Sequence, residues 1–129
     1  MVESMSGASK QQLQQDIEKE VARRYQVMQQ ETQALISRIM EVEDEKKENE
    51  LVLDSVMKLE DERKCWRLIN GVLFEKTKAQ VVPELTTMIK NLANVSKQLN
   101  DALLLKKQDM MKLEQQYDSI MKQAQLRKQ

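Results

Sequence analysis

The sequence predicts a mainly α fold, a long antiparallel helical coiled coil with one central β-hairpin. Two long segments carry apolar residues at seven-residue intervals, which is the spacing of a coiled-coil seam. The only glycines are Gly7 and Gly71 and the only proline is Pro83, so little interrupts a helix outside the centre of the chain. Between the two segments, Asn70-Gly71 separates two short apolar runs, which is a strong signal for a hairpin.

The first helix is predicted from about residue 10 to about residue 62. Its seam consists of two rows of residues spaced by seven, and the second row follows the first by four positions. Beside the seam, acidic residues precede basic residues by four positions, as in Glu43 and Lys47, which is the stabilising order in a helix. The two rows are Val21, Met28, Leu35, Val42, Asn49 and Val56, and Tyr25, Thr32, Ile39, Lys46 and Leu53.

The second helix is predicted at about residues 78–125. Thr77 and Gln80 have the spacing of a capping box, which would start this helix. Pro83 lies near the start, where a proline disturbs a helix least. The seam rows here are Leu85, Leu92, Leu99, Lys106, Leu113 and Ile120, and Ile89, Ser96, Leu103, Met110, Tyr117 and Ala124.

The predicted hairpin covers about residues 64–76. An isolated two-stranded hairpin is barely stable in water, and its free edges attract other strands. We therefore expect several chains to join their hairpins in a shared oligomerisation hub, with packing under the chain's own helices as the alternative. The predicted hub residues are Trp66, Leu68, Ile69, Val72, Leu73 and Phe74.

The short hairpin returns the second helix along the first, so the two helices should run antiparallel. The predicted register places Asn49 near Ser96, which groups two polar seam residues in one layer. It also places Lys106 near Ile39, where the lysine stem can cover apolar surface while its ammonium group reaches water.

Composition argues against an enzyme. The 129 residues include 21 basic and 21 acidic ones, and the zero formal net charge gives no general attraction to nucleic acid or to anionic membranes. The chain has no histidine, the commonest acid-base catalyst, and with Cys65 as its one cysteine it has no set of zinc ligands. Gly71 stands alone rather than in a phosphate-binding loop. We therefore predict no catalytic residue, cofactor or metal.

The chain ends are predicted to be tails around a domain at residues 10–125. Residues 1–9 are expected to be disordered, and residues 126–129 form a short C-terminal tail. Met1 to Lys10 lack the apolar run of a secretory signal, and no stretch approaches the roughly 18 apolar residues of a membrane span. One cysteine forms no intrachain disulfide, which fits a reducing compartment. These features predict a cytoplasmic protein without membrane contact, and they leave the nucleus open.

The central residues resemble those of a known family. The hairpin signature of β-type prefoldin subunits is similar to Asp61-Glu-Arg-Lys-Cys-Trp-Arg-Leu-Ile-Asn-Gly-Val-Leu-Phe-Glu-Lys-Thr77 together with Val81-Val-Pro-Glu-Leu85. The match looks most like the eukaryotic subunit 2 group, which carries an Arg-Lys-Cys-aromatic-Arg element. That family usually has a second glycine where Asn70 stands, but asparagine also tolerates the left-handed conformation.

The resemblance implies an ATP-independent chaperone, a holdase that binds unfolded or nascent polypeptides such as actin and tubulin. It implies a heterohexamer with two α-type and further β-type prefoldin subunits, whose hairpins form a β-barrel hub. It also implies delivery of cargo to the cytosolic group II chaperonin. The coiled coils would grip cargo with their tips, which are built from the first and last helical turns.

Four residues near the helix ends are predicted to contact cargo at these tips, because little partner helix remains there to cover them. Methionine suits this role, since its flexible side chain adapts to varied surfaces. For Val21, Tyr25, Tyr117 and Ile120, ordinary seam packing is at least as good an interpretation. The predicted cargo contacts are Leu13, Ile17, Met121 and Leu126.

Two other functions fit the helices. A structural or tethering coiled coil of a cytoskeletal or trafficking complex would have the same heptads, but it has no need for an apolar hairpin around Asn70-Gly71. A helical arm that binds nucleic acid would carry a basic stripe along one face, and none is visible in the sequence.

Overall fold

The fold follows the predicted order of helix, hairpin and helix. The computed structural model describes residues 7–128, with side chains described for residues 9–126. The two strands form one antiparallel sheet, so the mainly α class with a single central hairpin is confirmed. The elements are α1 (Gly7–Met57), β1 (Lys64–Ile69), β2 (Val72–Thr77) and α2 (Lys78–Lys128).

The end of α1 differs from the prediction, because the helix stops at Met57 and not near residue 62. A tight turn follows, in which the Leu59 amide donates to the Val56 carbonyl at 3.0 Å. The Lys78 ammonium group donates to the carbonyls of Met57 at 3.1 Å and Leu59 at 2.9 Å. A cation from the start of α2 therefore satisfies carbonyls that the end of α1 leaves free.

The outer helix ends also lie beyond the predicted bounds. The helix α1 begins at Gly7 and α2 continues to Lys128, so most of the predicted C-terminal tail is helical. Good helix formers such as glutamine, lysine and leucine populate both ends, and nothing in the local sequence stops the helix there. The prediction of a disordered tail at residues 1–9 is wrong for residues 7–9, which are helical. Residues 1–6 of that tail, and residue 129 of the predicted C-terminal tail, lie outside the described residues.

The turn chemistry of the hairpin is as predicted. The strands pair Ile69 with Val72, which leaves Asn70 and Gly71 as a two-residue loop. Both loop residues have positive φ, 50° for Asn70 and 82° for Gly71, as a type I′ turn requires. At the other end of β2, the Thr77 amide donates to Gln80 Oε1 at 3.0 Å, which is the backward bond of a capping box.

The chain divides into two compact units. The hairpin unit is Ser37–Asp101, and the end unit consists of the chain up to Ile36 and from Ala102 onward. In each unit, segments of α1 and α2 lie side by side, and every residue of the four predicted seam rows is buried or half-buried. The best-buried apolar residues are Val42, Val56, Val81, Leu85 and Leu113.

The predicted register of the helices is wrong. The Ser96 hydroxyl donates to Glu43 at 2.5 Å, six positions before the predicted neighbour Asn49. The Asn49 amide donates instead to the Glu45 carbonyl of its own helix at 2.8 Å. The early end of α1, at Met57 rather than near residue 62, is consistent with this shift toward an earlier part of α1. In the end unit, Lys106 pairs with Glu31, which lies eight positions before the predicted neighbour Ile39 in the sequence.

An ion-pair network fastens the hairpin to α2. Arg67 of β1 contacts the Glu84 carboxylate at 2.9 Å, and Lys76 of β2 contacts it at 2.5 Å. These two cations, Lys76 first, hold the pKa of Glu84 below its ordinary value. Beside this network, Val56, Val81 and Leu85 form a small core against which Cys65 packs. The hairpin is therefore anchored at its helix-proximal end.

Gly71→Ala should loosen the hairpin. An added Cβ would meet no atom within 4 Å, so the cost is that of the positive φ alone. That conformation costs an L-residue roughly 1–2 kcal/mol. The same loss of hairpin stability raises the population of the opened hairpin, so amide hydrogen exchange in β1 and β2 should be about 5–30 times faster. Asn70→Gly is the control and should leave exchange nearly unchanged. Equal protection in wild type and Gly71→Ala would contradict the turn assignment.

Glu84→Gln should lower stability at neutral pH but not in acid. A carboxyl group with a lowered pKa stabilises the fold above its unfolded pKa, here near 4.5, and this contribution disappears as pH falls through the folded pKa. Because Glu84 is partly exposed, we expect a loss of only about 0.5–1 kcal/mol at pH 7. Thermal unfolding of wild type and variant at pH 7 and at successively lower pH measures this difference. A difference that does not shrink in acid would refute the ion-pair account.

Candidate functional site

The hairpin presents apolar side chains on its outer face. Strand pairing aligns Leu68 with Leu73 and Trp66 with Glu75, so the three apolar residues point to the same side of the sheet. Trp66, Leu68 and Leu73 are each more than 60% exposed. Single exposed apolar residues are ordinary on a protein surface, but three neighbouring ones form a patch. This face has no covering layer within the described part of the chain.

The inner face of the hairpin is covered only near the helices. Pairing places Ile69 and Val72 beside Phe74 on this side, and all three are exposed to between 37% and 55%. Packing of these residues under the chain's own helices, the alternative considered above, is therefore not what the structure shows. We call the six exposed residues the hairpin surface: Trp66, Leu68, Ile69, Val72, Leu73 and Phe74.

The predicted cargo contacts occupy two kinds of environment in the end unit. Leu13 is 39% exposed and Leu126 is 70% exposed, so both are available to a partner. Ile17 and Met121 are half-buried, and the Met121 sulfur accepts a long hydrogen bond of 3.9 Å from the Gln14 side chain. The structure therefore gives direct surface access to two of the four residues and partial access to the others.

The end unit also contains an apolar groove that sequence reasoning missed. It has a volume of 270 Å³ and is lined mainly by carbon, with Val21, Ala22 and Tyr25 on α1 and Leu113 and Tyr117 on α2. The sequence analysis assigned four of these residues, all except Ala22, to the seam rows. The sequence feature that could have predicted the groove is the small side chain of Ala22 near the seam residues Tyr25 and Tyr117, because it leaves space next to the seam. We call this feature the tyrosine groove.

Two carboxylates border the tyrosine groove, those of Glu18 and Glu114. The Tyr25 hydroxyl donates a hydrogen bond of 2.7 Å to Glu114, and this bond raises the pKa of Tyr25. The Glu18 carboxylate accepts a bond of 3.5 Å from Gln14. The groove thus combines an apolar floor with acidic edges.

Two kinds of feature are absent from residues 7–128, namely a cluster of metal ligands and a helix that could span a membrane. Within residues 7–128 no three histidine, cysteine, aspartate or glutamate side chains converge as metal ligands would. Over the same residues, neither α1 nor α2 has an apolar stretch that could cross a bilayer.

Comparisons with known proteins agree with the architecture. The model of the prefoldin subunit family matches residues 19–124. A probable prefoldin subunit 2 of Dictyostelium discoideum is 34% identical over 100 residues, which cover 78% of this chain and 86% of that protein. The crystal structure of the prefoldin beta subunit from Thermococcus strain KS-1 matches with a TM-score of 0.71 at 21% identity, over 78% of this chain and 89% of that one.

These findings carry different weight. At 21% identity the archaeal structure supports the fold alone, namely two long helices joined through a hairpin. The family match extends over most of the chain and includes both helices and the hairpin. The sequence identity to a probable subunit 2 extends over more than two thirds of the chain as well. The resemblance noted in the central residues is thereby confirmed, and this chain belongs to the prefoldin subunit family.

Proposed function

We propose that this chain is a subunit of an ATP-independent holdase that binds unfolded or nascent polypeptides such as actin and tubulin. It acts within a heterohexamer of α-type and β-type prefoldin subunits and passes cargo to the cytosolic group II chaperonin. Its proposed place of action is the cytoplasm, and the nucleus stays open. Membership of the prefoldin subunit family is consistent with a chaperone role in a prefoldin complex.

The exposed hairpin surface is the observation that carries this proposal. Burying a fully exposed large apolar side chain contributes about 1.5–3 kcal/mol, so the six residues, which are 37% to 69% exposed, represent about 5–10 kcal/mol. That is comparable to the roughly 4–15 kcal/mol that association costs in lost freedom of movement. Strand edges without a partner add backbone hydrogen bonds to the gain when hairpins of neighbouring subunits meet. Such a surface fits assembly and has no purpose in a simple tether.

Cargo binding in this proposal needs contact and no covalent chemistry. Unfolded polypeptides display apolar side chains that a folded protein would bury, and a holdase covers them reversibly. Leu13 and Leu126 are accessible near the helix ends, and the half-buried Met121 supplies a flexible side chain. These residues stay predicted cargo contacts, and the experiments below test them separately from assembly.

Replacing Leu68 and Leu73 by serine should abolish assembly. Both are exposed side chains of the hairpin surface, so the substitutions remove interface area but little of the chain's own core. A tagged wild-type chain of 15.1 kDa should appear, by native mass spectrometry of complexes purified from lysate, in a complex near six times that mass. The variant should appear without partner subunits.

The matched control for assembly replaces Leu51 and Leu104 by serine. These leucines are as exposed as the hairpin pair but lie on the helices. The control should assemble like the wild type. If the hairpin variant assembles normally, or if the control loses its partners equally, the hub assignment is wrong.

Replacing Leu13, Ile17, Met121 and Leu126 by serine should weaken cargo capture and leave assembly intact. We expect aggregation of denatured actin, followed by light scattering without nucleotide, to be suppressed severalfold less well, because apolar contact area is lost. Serine at Met40, Leu51, Leu104 and Met111, all exposed apolar residues of the helices, provides the control. Undiminished suppression by the end variant, or loss of the complex itself, would remove these residues from the cargo site.

A further inference from the structure

The tyrosine groove has the shape of a receptor for one side chain. Its volume of 270 Å³ lies between α1 and α2 of the end unit, and its walls are almost wholly apolar. Tyr25 and Tyr117 are half-buried and place aromatic rings along the groove. Leu113, which is 5% exposed, belongs to the seam and lines the groove as well. A bulky apolar side chain that enters the groove would lose contact with water and gain contact with carbon atoms, which is favourable.

The edges of the groove carry two carboxylates, which accept hydrogen bonds from the neutral side chains of Tyr25 and Gln14. Within residues 9–126 neither Glu18 nor Glu114 forms an ion pair. The positions three and four residues away from each of them on its own helix hold no lysine or arginine. In the same unit, by contrast, Glu20 pairs with Arg23 at 2.7 Å and Glu31 pairs with Lys106. The two groove carboxylates are therefore available to a cation from outside.

We infer that the tyrosine groove is a cargo subsite selective for polypeptide segments in which a bulky apolar side chain is flanked by lysine or arginine. The apolar side chain fills the groove, and the flanking cation meets Glu18 or Glu114. Tyrosine faces also attract cations, which favours the same segments. A segment flanked by glutamate or aspartate is disfavoured by like-charge repulsion. This inference rests on the proposed holdase function and adds a charge preference to it.

Two short fluorescent peptides test the preference. They share a Gly-Ser background with one leucine and one phenylalanine, flanked by lysine in the first peptide and by glutamate in the second. Fluorescence anisotropy measures their binding to the assembled complex that contains this chain. We expect the lysine peptide to bind about threefold to tenfold more tightly, in a salt-sensitive way.

Variants that neutralise the two groove carboxylates test whether the preference for the lysine peptide comes from this chain rather than from another subunit of the complex. Glu18→Gln with Glu114→Gln keeps the shape of the groove and should weaken binding of the lysine peptide about threefold to tenfold. Glu20→Gln with Glu31→Gln is the matched control, since those carboxylates already have cationic partners within the chain. The control should bind both peptides like the wild type. Equal weakening in the two double variants would overturn the inference.

A blocking variant tests the groove itself. Ala22 is exposed and lines the groove, so Ala22→Phe fills it without removing a seam contact. The change should weaken the lysine peptide severalfold. Ala34→Phe places the same side chain at another exposed alanine of α1 in this unit and should have no effect. Unchanged binding by Ala22→Phe, or equal binding of the two peptides to wild type, would overturn the subsite.

Aggregation suppression separates this inference from the function on which it rests. If the wild-type complex suppresses aggregation of denatured actin but shows no preference between the peptides, the subsite is wrong and the holdase proposal stands. If the complex neither suppresses aggregation nor binds either peptide, both are wrong.

Discussion

The structure depends on the burial of two apolar stripes that neither helix can bury alone. Each helix has 51 residues, yet the well-buried apolar side chains within the described chain are few, with Val42, Val81 and Leu85 almost inaccessible. A single long helix in water gains too little from its own backbone to persist, so the seam is the condition for the fold. Many apolar residues outside the seam, such as Leu51 and Leu104, stay on the surface, where other molecules can reach them.

Polar contacts across the helices specify how the stripes align. Apolar side chains alone permit sliding by a turn, because one leucine replaces another at low cost. The bond from Ser96, which is 6% exposed, to Glu43 and the pairing of Lys106 with Glu31 are satisfied in one alignment only. Glu84 has a similar effect on the hairpin, since its carboxylate meets Arg67 and Lys76 together. Stability and alignment thus come from different side chains.

Local features of the sequence predicted much of this fold. The heptad rows identify the buried face of each helix, because helix geometry converts spacing directly into direction. The positive φ of Asn70 and Gly71 follows from residue type in the same way. What failed depends on distant residues. Lys78 reaches back to the Met57 carbonyl at the end of α1, and Val81, which no heptad row includes, is buried against Val56 and Leu85. The tyrosine groove arises between helices, so its walls share no pattern along the chain.

Because the hairpin surface is exposed, the apparent stability of this chain depends on the concentration of its partner subunits. A copy made without partners displays unpaired strand edges and large apolar residues such as Trp66 and Phe74, which are the features that drive misassembly. Binding of partners to the folded form stabilises it by mass action, so its apparent stability rises with their concentration. If the chain acts in the proposed heterohexamer, balanced synthesis of the subunits limits the number of copies without partners. A copy without partners would display apolar surface, as do the unfolded polypeptides that the proposed holdase binds.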